Sequence, residues 1–193
     1  MPLSAMASAV RIPDALALVP SHDRRLRRAS QPVGDVTAER RRLIERMFEA
    51  MAREHGVGLA APQVGCLVRI IVVDVSPFQA GTRPLALVNP VVTARRGSAV
   101  AVEGCLSLPG IEAPVRRARE VRVAAVDAHG QPVTIDATGL LARVLQHEMD
   151  HLDGVLFIDR VGWTHRWRLR HALAALMTST TTTVPTRVAT TAL

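Results

Sequence analysis

His147, Glu148, Met149, Asp150 and His151 spell H-E-x-x-H. Leu140, Leu141, Val144, Leu145 and Leu152 recur around them at helical spacing. On a helix, residues four apart share a face and lie about 6 Å apart along the axis, so two imidazoles can hold one metal ion. Glu148 follows His147 directly and can approach a metal-activated water without being a ligand itself. Two surface histidines on a polar face would be the plain alternative, but the apolar remainder of the segment predicts a buried helix. A catalytic metal site also needs a third protein ligand and an open position. Six residues past His151, where one class of H-E-x-x-H proteases carries another His, stands Phe157, and nothing after Arg160 is acidic. The third ligand therefore lies upstream.

Cys105, in Glu103-Gly104-Cys105-Leu106-Ser107, is the candidate, because a thiolate is soft and binds Fe(II), Zn(II) or Ni(II) strongly. Gly104 before it allows close backbone approach. Cys66, at a strand start without polar neighbours, reads as a structural thiol. A third element is Gly56 to Gln63, GVGLAAPQ. No helix follows it, which argues against a phosphate loop. Its small residues suit backbone lying against a peptide, with Gln63 as a neutral donor.

These residues need a scaffold, and the hydrophobic periods supply one. Leu43, Ile44, Met47, Phe48 and Met51 predict an amphipathic helix after a Thr37 cap. Leu67 to Val75 and Leu85 to Asn89 read as strands, and Val121 to Asp127 with Val133 to Ile135 as a hairpin. Thr138 to Leu152 reads as a helix stopped at Asp153-Gly154, and Trp163 to Met177 as a further, basic helix. Several strands followed by isolated helices indicate an α+β fold rather than a βαβ series.

A chain of 193 residues with 48% hydrophobic content can bury a core and fits one domain. No apolar run approaches the 18 or so residues of a membrane span. Two cysteines are too few for a disulfide framework and point to a reducing compartment. The net charge is +7, and all 24 basic residues are Arg; Lys and Tyr are absent, which excludes Schiff-base chemistry on lysine. The charge fits affinity for polyanions, but 3% aromatics are too few for base-stacking platforms. GC-rich coding is the simpler origin of the Arg and Ala bias. Residues 1–20 are expected to be a flexible leader, 21–177 a single catalytic domain, and 178–193 a low-complexity, disordered tail.

GVGLAAPQ, EGCLS and QHEMDH, in this order, resemble the three signature motifs of the peptide deformylases, and DRRLRRASQPV from Asp23 is similar to that family's opening segment. The resemblance implies a metal hydrolase that removes the N-formyl group from the initiator methionine of new bacterial or organellar polypeptides. It implies mostly antiparallel sheets packed around the H-E-x-x-H helix, with a C-terminal helix. Cys105, His147 and His151 would be the metal ligands and Glu148 the general base and acid acting on a metal-bound water. Gln63 and the Leu106 N–H would meet the oxyanion. Val57, Gly58, Gly104, Leu140 and Arg143 would contact the methionine side chain and peptide backbone. Fe(II), one per chain, is the family's usual metal, with Ni(II), Co(II) or Zn(II) as substitutes. The short gap between the first two motifs resembles the compact bacterial type. One departure is Glu112, near where members often carry an Arg.

A zinc peptidase of the H-E-x-x-H type is the competing enzyme, and it would cleave internal amides. Trp163 to Met177, with Arg166, Arg168 and Arg170, could add a contact to ribosomal RNA. Formyl-methionyl nascent chains are the expected partners, with no membrane and no stable DNA partner, in a bacterial cytoplasm.

Overall fold

The computed structural model describes residues 15–178. Its elements are α1 (Ala38–Arg53), β1 (Gly58–Ala60), β2 (Ile70–Val73), β3 (Leu85–Arg96), β4 (Ala99–Gly104), β5 (Glu112–Arg117), β6 (Glu120–Val126), β7 (Pro132–Thr138), α2 (Gly139–Leu152) and α3 (Trp163–Thr178). Five strands form one antiparallel sheet in the order β1-β2-β3-β6-β7, and β4 and β5 form a separate hairpin. The architecture is α+β.

All four side chains of β2 are buried, which a strand requires when both faces of its sheet are covered. Ile71 and Val73 point into a cluster with Val123, Leu141, Leu145 and Leu152, under α2. Ile70 and Val72 face the other way, against Leu43, Ile44 and Met47 of α1. Burying a side chain of this size contributes about 1.5–3 kcal/mol relative to exposure, so this short strand anchors both helices. A third cluster joins the β5 hairpin to Phe157, Leu26 and the half-buried Leu169, Leu173 and Leu176 of α3.

Thr37 caps α1, its hydroxyl accepting from Arg40 N at 3.4 Å. The first turn of α2 has no cap from Thr138; the Gln79 side chain reaches across to accept from Leu141 N at 3.1 Å. Gly154 ends α2 with φ +73°, and a Cβ there would lie 2.8 Å from the Arg27 backbone, so glycine is required twice over. Eleven residues of α2 are buried, in keeping with a helix enclosed by sheet, hairpin and loops.

The structure differs from the sequence expectations in five places. β2 begins at Ile70 because Leu67 O accepts from Gln31 N and Val68 bridges to Gln31, away from the main sheet. β3 runs on to Arg96, past Pro90, because a bulge follows Val88; Asn89 sits there with φ +51°, and its side-chain amide makes two bonds to the Val33 backbone. The β4–β5 hairpin was not expected from the sequence, its longest apolar run being the four residues Ala99 to Val102, and the segment Gly56 to Gln63, not read as a strand, carries the edge strand Gly58–Ala60. Leu16 and Val19 of the expected leader are buried in the core clusters. The rest of that leader, 1–14, and the tail from 179 lie outside the described residues.

Candidate active site

The buried face of α2 presents His147 and His151 one turn apart, with ring centroids 5.1 Å apart. Cys105 stands in the turn that leaves β4, and its Sγ lies 3.2 Å from His151 Nε2. One ligand atom from each of Cys105, His147 and His151 falls within 4.8 Å of the others, so the sequence-separated cysteine meets the helix pair. Phe157 stacks on the His147 ring at 6.0 Å and limits its rotation.

Two histidines and a thiol suit a divalent transition metal of the Fe, Co, Ni or Zn type. The electrostatics favour the thiolate form of Cys105, whereas, against burial, Cys105, Glu103 and Glu148 hold the His147 ring well above its ordinary value. Burial alone would raise the Cys105 thiol, but the His151 and His147 rings outweigh it and hold the thiol well below its ordinary value. Glu148 is 4% exposed, and its Oε2 has no hydrogen-bond partner among the described residues. Leaving such an atom unsatisfied costs about 1–3 kcal/mol, so a buried carboxylate oxygen at the ligand cluster fits a site that receives a metal and water. Burial pushes Glu148 up to about 7, against the pull of His147 and His151.

Gln63 is fully enclosed in the short turn Ala61–Val64 after β1. Its Oε1 accepts from Ala60 N at 2.7 Å, which fixes the amide orientation. Nε2 then points to Ser107 Oγ at 3.1 Å and Cys105 Sγ at 3.7 Å, on the metal side. Gly58 crosses directly over Glu148: a Cβ there would lie 2.4 Å from Glu148 Oε1 and 2.7 Å from Val144 Cγ1. Val57 and Leu140 are half-buried on the edge of the α2 cluster, and Gly104 is exposed beside Cys105. Leu106 is half-buried, its Cδ1 within 2.7 Å of where a Gly56 Cβ would stand. Glu112, the departure from the family pattern, is exposed on β5 opposite Gly104.

Arg143 does not stand free toward a peptide. Its guanidinium donates to Glu103 Oε1 at 2.6 Å, Val115 O at 3.0 Å and Ala99 O at 3.1 Å, and so braces the β4–β5 hairpin. Glu103 is the residue that the sequence reading passed over. Its carboxylate accepts from Arg117 Nε and Nη2, both at 2.9 Å, and lies 3.0 Å from His147 Nδ1. Asp150 completes the buried network, accepting from Arg117 Nη1 at 2.5 Å and Arg160 Nη2 at 2.7 Å. Burial would raise Glu103, but Arg117 and His147 override it and hold the carboxyl well below its ordinary range. The signal in the sequence was an acid two residues before a candidate cysteine ligand, which a search for ligands alone does not weigh.

Comparison with known proteins identifies the family. The polypeptide deformylase family model matches residues 15–167. Peptide deformylase 2 of Gloeobacter violaceus is 50% identical over 147 residues, covering 76% of this chain and 79% of the relative. The peptide deformylase of Thermodesulfovibrio yellowstonii is 45% identical over 139 residues, covering 72% and 84%. Among solved structures, the Legionella pneumophila enzyme superposes with a TM-score of 0.77 at 38% identity, covering 83% of this chain and 94% of that one. The Synechococcus elongatus enzyme, solved with actinonin, gives 0.77 at 42% identity, covering 83% and 86%. The chain belongs to the peptide deformylase family, the metal-dependent hydrolases that remove the formyl group from the N-terminal formyl-methionine of new polypeptides.

Proposed function

We propose that Cys105, His147 and His151 hold the catalytic metal, that Glu148 moves the proton, and that Gln63 with the Leu106 N–H receives the charge on the formyl oxygen. The convergence of the three donors, together with a buried Glu148 Oε2 that has no hydrogen-bond partner among the described residues, is the observation that carries this reading. These three donors would hold a divalent ion, which would supply the Lewis acidity for activating water and polarising the formyl group.

Glu148 accepts a proton from the attacking water as its oxygen adds to the formyl carbon, then passes that proton to the departing amine nitrogen. Formate and a free amino terminus result. Gln63 is held by Ala60 N, so its Nε2 is pre-aimed and needs no reorganisation as charge develops. Gly58 keeps β1 close enough to Glu148 to shut out bulk water, and with Val57, Gly104 and Leu140 borders the peptide groove. The metal is Fe(II) in this reading, supported by the thiolate-imidazole donor set and by the family resemblance. Loading apo protein with Co(II) tests the ligands: thiolate-to-cobalt absorption should appear in the near ultraviolet and vanish in Cys105→Ser.

The enzyme works on chains as they leave the ribosome, in the cytoplasm. The exposed Arg166, Arg168 and Arg170 of α3 support a contact with ribosomal RNA. No helix among the described residues is long and apolar enough to cross a membrane.

A further inference from the structure

Gln146 and Asp150 lie on one stripe of α2, turned away from the stripe that carries Glu148 and His151, and Asp153 continues it at the C-cap. They form one wall of a cleft of about 650 Å³, closed on the other sides by the β3 bulge, the turn between β3 and β4 and the end of β5. Its volume is typical of a small-molecule site. It is separated from the metal centre by the thickness of the helix.

Charge defines what the cleft can hold. Five arginines line it against two aspartates. The aspartates are already neutralised: Asp153 by Arg69 at 2.6 Å, and Asp150 by Arg117 and Arg160. Among the described residues no carboxylate pairs with Arg95 or Arg116, and Arg116 makes one long bond, 3.3 Å to Ser98 Oγ. The free positive charge exceeds what a single carboxylate would balance. Guanidinium forks match phosphate oxygens two at a time and tolerate partial desolvation better than ammonium groups. Val91, Val92 and Met149 add an apolar shelf beside the arginines, where an uncharged part of a ligand can lie.

We propose that this cleft is an anion site, distinct from the metal centre, that takes a diphosphate group, either free or carried by a nucleotide. Arg95 and Arg116 make the new contacts, and Arg160, half-exposed at its outer end, can turn toward the ligand without leaving Asp150. Arg117 stays committed to Glu103 and Asp150 and forms the floor.

The test titrates pyrophosphate into the metal-loaded full chain by calorimetry, with sulfate at matched ionic strength as the reference. One site per chain is expected, and Arg95→Gln with Arg116→Gln should weaken it by about tenfold or more. Both side chains are exposed, so the double variant should keep wild-type formyl-peptide turnover, and metal chelation by pyrophosphate is the same in both proteins and cancels. A parallel titration with ADP separates the sources. Competition with pyrophosphate at equal or higher affinity identifies a nucleotide, and binding of pyrophosphate alone identifies a free oligophosphate. Pyrophosphate heats equal to those of sulfate, or affinity unchanged in the double variant, would overturn the proposal.

Discussion

Glu103 Oε2 lies 3.0 Å from His147 Nδ1, so a carboxylate at the end of β4 orients a histidine on α2 and would leave Nε2 free for the proposed metal. The same carboxylate holds Arg117 and Arg143. Glu103→Gln should therefore loosen the metal by about 10–100-fold. It should also destabilise the fold by about 3–5 kcal/mol, because it leaves buried guanidinium charge uncompensated. Chelator competition and denaturant unfolding read the two effects separately. Unchanged metal affinity would reduce Glu103 to a structural ion pair.

Acid should act on the same residue. The folded-state pKa of Glu103 is depressed, so its contribution to stability is complete above the ordinary carboxylate range and is lost as pH falls below it. Unfolding free energy of the wild type should drop between about pH 5 and pH 3, and Glu103→Gln should show a shallower slope there.

Glu148 carries the opposite sign. Burial raises it to about 7 in the metal-free chain, so the folded state holds an extra proton between the ordinary glutamate value of 4.5 and 7, and stability falls as pH rises through that window. Metal-free Glu148→Gln should be more stable relative to wild type at pH 8 than at pH 4, by thermal unfolding. With metal bound, the same variant should keep one ion per chain and lose about 10²–10⁴-fold in kcat.

Gly58→Ala should cost activity without costing metal. The added methyl would meet Glu148 Oε1 at 2.4 Å, and displacing either β1 or the carboxylate spoils the proton path. Gly34→Ala, where nothing lies within 4 Å, is the control and should behave as wild type. Equal kcat in the two variants would show that β1 does not press on Glu148.

Replacing Arg166, Arg168 and Arg170 by Gln should spare turnover of short formyl peptides and weaken ribosome association. The loss should be largest at low salt, where counterion release contributes most. Sedimentation with ribosomes across a salt series checks it, and identical binding would assign α3 to packing through Leu169, Leu173 and Leu176 alone.

The clustering of Cys105, His147 and His151 was legible in the sequence because H-E-x-x-H and the cysteine motif carry their own geometry. A helix spaces His147 and His151, and a soft donor upstream completes the set. What escaped the sequence depended on contacts across 14 to 44 positions, such as Arg117 to Glu103 and His147 to Glu103. Arg143 reads as a peptide contact by resemblance, yet Nη1 and Nη2 make three bonds to the hairpin. The β4–β5 hairpin itself was hidden because its apolar run, Ala99 to Val102, is only four residues long, and Val100 and Val102 are exposed instead of packed in the core.

Formate release tests the account most directly. Apo protein is reconstituted anaerobically with one equivalent of Fe(II) and given a formyl-Met peptide, with the acetyl-Met analogue and an internal-amide peptide alongside. The account predicts formate from the formyl peptide alone, abolished by a chelator, restored by Fe(II) or Ni(II), and absent in Cys105→Ser, whereas Cys66→Ser retains it. Undiminished formate release by metal-depleted protein or by Cys105→Ser, or cleavage of the internal amide instead, would contradict it.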